Sequence, residues 1–151
     1  MPETRPTPMQ RALGEARAAA ARGEVPVGAV LLAEDGSLLA ADGNRTRQLA
    51  DPTAHAEMLV IREACRTAGE QRLTGASLYV TLEPCPMCTA AISLARIRRL
   101  YWGASDPKGG GVEAGPRIFS QPTCHHVPEL YGGLCGSEAA ALLVSFFAER
   151  R

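Results

Sequence analysis

The chain has 151 residues, enough for one domain with a sizeable core and no need of disulfides. Hydrophobic residues make up 46% and charged residues 21%, ordinary for a soluble globular chain, and no apolar run approaches the length of a membrane span. Lys plus Arg and Asp plus Glu number 16 each, so a nucleic-acid partner would have to be held by a local basic patch or by shape rather than by net charge.

Taken in order, the chain begins with a polar, proline-rich stretch, Met1 to Pro8, which is not signal-like. Together with the odd count of five cysteines it fits a reduced cytoplasm. Thr7-Pro8-Met9-Gln10 predicts a helix start, with Thr7 as cap, Pro8 at the first helical position and Gln10 closing a capping box. This helix should run to about Arg22 and stop at Gly23, with Arg11, Arg17 and Arg22 on a solvated face. Val27 to Ala33 is a nearly continuous apolar run of strand length, so a strand buried on both faces is expected. Asp35-Gly36 predicts a two-residue hairpin turn, and Ser37 to Ala41 returns as the second strand. Asp42 to Thr53, with Arg45 and Arg47, reads as a loop.

A second helix opens at Thr53 or Ala54, with Met58, Ile61 and Cys65 at helical spacing and Gly69 just past its end. The third strand runs through Ser77 to Leu82 and gives way to a small-residue helix over Thr89 to Ile97. Arg99 to Ala104 is the fourth strand; Ser105 to Gln121, with Gly109, Gly110 and Gly111, is an irregular loop. His126 to Leu130 is expected as a fifth strand, at a sheet edge because Pro128 has no N–H to donate. Ser137 should cap a last helix with the apolar stripe Leu142, Leu143, Phe146 and Phe147. A hairpin followed by alternating strands and helices predicts a three-layer α/β/α fold around a five-stranded mixed sheet, without repeats or linkers. Ligand sites in such sheets gather where strand ends meet helix starts.

The chemistry concentrates at two such places, His55-Ala56-Glu57 and Pro84-Cys85-Pro86-Met87-Cys88. Two cysteines three apart in a first helical turn can reach one metal ion, and the free N–H groups and dipole of that turn favour thiolates. Cys-x-x-Cys alone fits both zinc and redox sites. With His-x-Glu upstream it becomes the pattern of zinc-dependent nucleobase deaminases. One His and two Cys leave a tetrahedral zinc one open position, as in catalytic sites, whereas structural sites are closed by four ligands. Cys65, ten residues beyond His55 on a continuous helix, lies ~15 Å away along the axis and cannot share the ion. Spacing leaves Cys124, His125 and His126 open as a fourth ligand. Otherwise His125 and His126 read as surface or hydrogen-bonded residues, and Cys65, Cys124 and Cys135 as packing thiols. Glu57, two residues from a ligand, can take a proton from a zinc-activated water and pass it to a departing amine. Glu83 is a weaker candidate for that role; a carboxylate in the turn ahead of a helix start is its simpler reading.

The chain resembles the bacterial tRNA-specific adenosine deaminases of the cytidine deaminase-like superfamily along nearly its whole length. The matching stretches are Glu24 to Val30, Gly43-Asn44-Arg45, Asp51 to Glu57, Leu78 to Cys85, Ala95-Arg96-Ile97, Gly103-Ala104, and Ala141-Leu142-Leu143 with Phe146-Phe147 and Arg150-Arg151. The resemblance implies a single CMP/dCMP-type deaminase domain over residues 1–151, a cytidine deaminase-like fold and a homodimer. It implies conversion of adenosine to inosine at the wobble position of a tRNA anticodon stem-loop, with arginine tRNA the expected substrate. It assigns His55, Cys85 and Cys88 to one zinc ion per subunit and Glu57 to proton transfer. Asn44 would contact the base, Ala56 would contribute a backbone contact, and Asp106 and Lys108 would lie in the loop that approaches the anticodon. The Phe146, Phe147 and Arg150 helix would close over the flipped-out loop. For Arg96, Arg98 and Arg99 a phosphate contact and a solvated helix end stand level. The rival readings are a free-base or nucleoside deaminase acting on guanine or cytosine, a catalytically silent RNA-binding subunit with structural zinc, and a redox dithiol.

Overall fold

The first helix, α1 (Pro8–Ala21), starts as its sequence dictates. The Thr7 hydroxyl accepts from the Gln10 N–H at 3.2 Å, and the Gln10 side-chain oxygen accepts from the Thr7 N–H at 2.8 Å. This computed structural model describes residues 5–150, so the first four residues and Arg151 of the predicted terminal basic pair lie outside it. Gly23, at φ +83°, turns the chain away after Arg22.

The strands β1 (Gly28–Leu32) and β2 (Leu38–Gly43) form the predicted hairpin. Its turn is longer than the two residues expected. Ala33 and Ser37 close it by a 2.8 Å backbone bond, and the Asp35 carboxylate accepts both the N–H and the hydroxyl of Ser37. Then follow α2 (Ala56–Ala68), β3 (Ser77–Leu82), α3 (Pro86–Leu94) and β4 (Arg99–Ala104). A short 3-10 turn over Ile118–Ser120 interrupts the loop expected to be irregular. β5 (Glu129–Tyr131) starts after Pro128, three residues later than predicted, and α4 (Gly136–Ala148) completes the chain. The cap of α4 is Cys135, in the left-handed region at φ +57°, and not Ser137.

The strand order is β2-β1-β3-β4-β5, with β1 antiparallel to both neighbours and β3, β4 and β5 parallel. This is the expected mixed sheet, and β5 lies at its edge. Alternation along β1 separates two cores. Ala29 and Leu31 pack with Val60, Ile61 and Ala64 of α2 and Ile92 of α3; Val30 packs with Met9 and Ala12 of α1 on the other face. Leu13 of α1 and Ala139 of α4 meet Ala104 of β4, so these two helices share that second face. The result is the three-layer α/β/α architecture. Gly28 and Gly43 are paired in register beneath α1, where a Cβ on Gly43 would sit 2.6 Å from the Glu15 carbonyl oxygen. Their bareness lets α1 press on the end of the hairpin from which Asn44 leaves.

Candidate metal centre

Two helix starts make the site. His55 is the residue before the first turn of α2 (φ −73°, ψ 152°), and Cys85 holds the same place on α3 (φ −70°, ψ 170°). Sequence periodicity expected His55 inside the first turn; it is the cap. Pro86 at the first helical position starts α3 three residues ahead of the small-residue run at Thr89, so Cys88 lies in the first turn as expected and Cys85 is the cap. Neither His55 nor Cys85 spends its side chain on capping, so both turn toward one point.

The Sγ atoms of Cys85 and Cys88 each lie 3.5 Å from Nδ1 of His55, and all three ligand atoms fall within 4.8 Å of one another. Zinc bonds of about 2.3 Å to sulfur and about 2.05 Å to nitrogen, at the tetrahedral angle, put S and N about 3.6 Å apart. The S–N spacing of the cradle therefore suits zinc. Among the described residues no other group joins these three. The candidates that spacing had left open are engaged elsewhere. Cys124 lies 3.3 Å from the Ser93 hydroxyl, His126 Nε2 is 2.7 Å from the Ile97 carbonyl, and His125 is exposed. Cys65 packs against the core, where burial pushes its thiol up. Cys135 packs under α1 and α4.

The two thiols are shifted in opposite directions. The Cys85 thiol is held down to about 4, first by the hydrogen bond from Cys88 and then by His55. Cys88 is pushed up because it donates that bond and is buried. The Cys85 contact in turn raises His55. A metal held by both sulfurs would have to displace the proton that Cys88 retains. Glu57 is 3% exposed, and its Oε1 has no hydrogen-bond partner in the protein. Burial pushes its carboxyl above the ordinary range. A buried carboxylate oxygen without a protein partner beside a metal cradle is what a proton carrier facing a solvent-derived ligand requires.

A cavity of about 300 Å³ opens over this centre, with Asn44, Thr46, His55, Glu57, Glu83 and Asp106 in its walls. The Asn44 side-chain oxygen accepts the Ala56 N–H at 2.8 Å, which fixes the amide at the cavity wall. Ala56 itself is fully buried and its N–H is committed to Asn44. Lys108 is exposed outside the wall. Phe146 of α4 and Arg150, just past its end, do not line the cavity; the Arg150 guanidinium lies 3.5 Å over the Phe146 ring. Arg98 and Arg99 pair with Glu129 at 3.5 Å at the opposite ends of the strands.

Two buried carboxylates were given no loop-holding part by the sequence. Glu24 accepts the N–H groups of Arg47 (3.1 Å) and Gln48 (2.8 Å), and so ties down the loop that carries Asn44 and Thr46. Glu83 does the same for the opposite wall. The only hint was that a carboxylate stood in an otherwise apolar strand-to-helix junction.

Residues 2–104 match the family model of the cytidine and deoxycytidylate deaminase zinc-binding region. The chain is 64% identical over 143 residues to a tRNA-specific adenosine deaminase of Agrobacterium fabrum, covering 95% of this chain and 93% of that protein. To the tRNA-specific adenosine deaminase of Bacillus subtilis it is 43% identical, covering 95% and 88%. Among solved structures it resembles one from work on A-to-I editing by tRNA:A34 deaminases at the wobble position of transfer RNA. The TM-score is 0.88 at 65% identity, over 90% of this chain and 98% of that one. A guanine deaminase from Bacillus subtilis is similar at a TM-score of 0.65 and 31% identity, over 98% and 94%.

Proposed function

The chain belongs to the zinc-binding cytidine and deoxycytidylate deaminase family, among the tRNA-specific adenosine deaminases, and from that premise we propose its reaction in full. It is a zinc-dependent hydrolase that converts adenosine to inosine at the wobble position of a tRNA anticodon loop, releasing ammonia. The observation that carries this reading is the three-ligand cradle set beside a buried Glu57 oxygen that no protein group satisfies. A silent subunit with structural zinc has no use for that oxygen.

His55 Nδ1, Cys85 Sγ and Cys88 Sγ would hold one zinc per subunit. Bound there, zinc supplies hydroxide near neutral pH. Glu57 accepts the proton released when the nucleophile forms and returns it toward the departing amine, so its carboxylate ends the cycle as it began. Asn44, its oxygen held by the Ala56 N–H, offers its amide nitrogen to the base edge. A cavity of about 300 Å³ admits one extruded base and not a paired stretch, which suits an unpaired loop nucleotide.

The finer parts of the reading concern partners. Asp106, Lys108, Phe146 and Arg150 are proposed to meet the anticodon stem-loop, with arginine tRNA as substrate. The exposed Phe147 beside Phe146 offers a ring on which an unpaired base could stack. A homodimer is supported by apolar side chains that one chain leaves uncovered, Leu94 at 76% and Val144 at 69% exposure. Residues 1–151 are taken as one deaminase domain. Five free cysteines and no described helix long and apolar enough to cross a membrane support a cytoplasmic place.

The test offers zinc-loaded protein an arginine-tRNA anticodon stem-loop with adenosine at the wobble position, and in parallel free guanine, cytosine, adenosine and cytidine. Inosine confined to the stem-loop is expected. Ammonia from a free base alone would keep the metal chemistry and overturn the tRNA substrate.

A further inference from the structure

Glu83 stands two residues before a metal ligand, yet its bonding is unlike that of Glu57. Its side chain is 2% exposed, and both oxygens are taken by backbone N–H groups. One accepts from Asp106 at 3.1 Å. The other accepts from Val112 at 3.2 Å, Glu113 at 3.0 Å and Ala114 at 3.1 Å. The donors come from both limbs of the glycine-rich loop, 23 to 31 residues away in sequence. Amides converging on one carboxylate form an anion nest. The loop is pressed against the ligand turn as well. The Gly111 N–H donates to the Pro84 carbonyl at 2.8 Å, and a Cβ on Gly111 would lie 2.7 Å from the backbone of Pro86. A Cβ on Gly110 would run into the Glu83 carboxylate. Asp106, held from its N–H by Glu83, accepts the Gly109 N–H at 2.9 Å, and both residues line the cavity.

We propose that Glu83 is a positioning residue: it draws both limbs of the Asp106–Ala114 loop together and builds the substrate-side wall of the pocket. Its oxygens are filled by four N–H groups, whereas Glu57 Oε1 has no partner in the protein. Glu83→Gln keeps the shape and replaces one acceptor with a donor that faces N–H groups, so one limb is released. The inference rests on the proposed stem-loop substrate only for its kinetic part, and the loop itself can be read without substrate.

Amide hydrogen exchange and steady-state kinetics of the zinc-loaded Glu83→Gln protein test this. Exchange at Asp106 or at Val112 to Ala114 should speed up at least tenfold, with β3 and β4 unchanged. KM for the stem-loop should rise at least tenfold, with kcat within threefold and zinc content unaltered. Should that variant fail to fold, Gly110→Ala disturbs the same contact from the loop side and should give the same split. Loss of kcat with KM and exchange unchanged would place Glu83 in the chemistry and overturn the proposal, as would wild-type exchange and kinetics. If the stem-loop is not turned over even by wild type, the exchange result still decides the role of Glu83.

Discussion

Replacing Glu57 with Gln removes one charge and almost no volume, so it isolates proton transfer from packing. The side chain is buried at 3% exposure, so Glu57→Ala would add a cavity beside the ligands and confuse the two effects. A positioned proton carrier is worth about 10²–10⁴ in rate, or about 2.7–5.5 kcal/mol of barrier. Glu57 serves at two moments of one cycle, and the neighbouring Glu83 carboxylate is filled by N–H groups. The expected loss therefore lies toward the upper end, ~10³ or more. Single-turnover conversion of a wobble-adenosine stem-loop with excess enzyme reads the chemical step, and metal analysis and thermal unfolding are followed alongside. Zinc should stay at one per chain and the unfolding midpoint should hold. Conversion within tenfold of wild type, with zinc retained, would remove Glu57 from the mechanism.

Other expectations follow from the same geometry. Cys88→Ser should weaken zinc by more than the roughly 10–100-fold that loss of an outer-shell partner brings, so chelator titration should strip it at far lower concentration. Asn44→Ala leaves the Ala56 N–H buried without its 2.8 Å acceptor, a loss of about 1–3 kcal/mol that thermal unfolding should show together with reduced turnover. At Glu24, burial pushes the carboxyl up, but the Gln48 and Arg47 amides, the Thr46 hydroxyl and the Arg22 charge together bring it below its ordinary 4.5. A carboxylate depressed in the folded state contributes stability that is present above its unfolded value and lost as pH falls through the folded one. Wild type should therefore lose stability below pH 4.5 more steeply than Glu24→Gln, as read by denaturant midpoints across that range.

Much of the fold was legible because local rules and burial agreed. The capping box at Thr7 and Gln10, the apolar runs of β3 and β4, and the edge position of β5 all reappear in the structure, although Pro128 itself stands just outside that strand. The departures have physical causes. Small residues from Thr89 onward marked the helix, but Pro86 is already committed to its first position, and Arg96 at φ +60° ends the run earlier than Ile97. Cys135 caps α4 from the left-handed region, a conformation its composition does not announce. The metal cradle was legible because its residue types and spacing have few other uses. The walls were not, since Glu24 and Glu83 act on amides more than 20 residues away and nothing in their neighbourhoods encodes those partners.

The account turns on an open, three-ligand zinc rather than a closed or redox centre. X-ray absorption at the zinc edge of the as-purified protein reads this directly. Two sulfur scatterers at about 2.3 Å, with one nitrogen and one oxygen near 2.0–2.1 Å, are predicted. Three or four sulfurs, a second histidine in place of the oxygen, or stoichiometric Cys85–Cys88 disulfide without metal would contradict it.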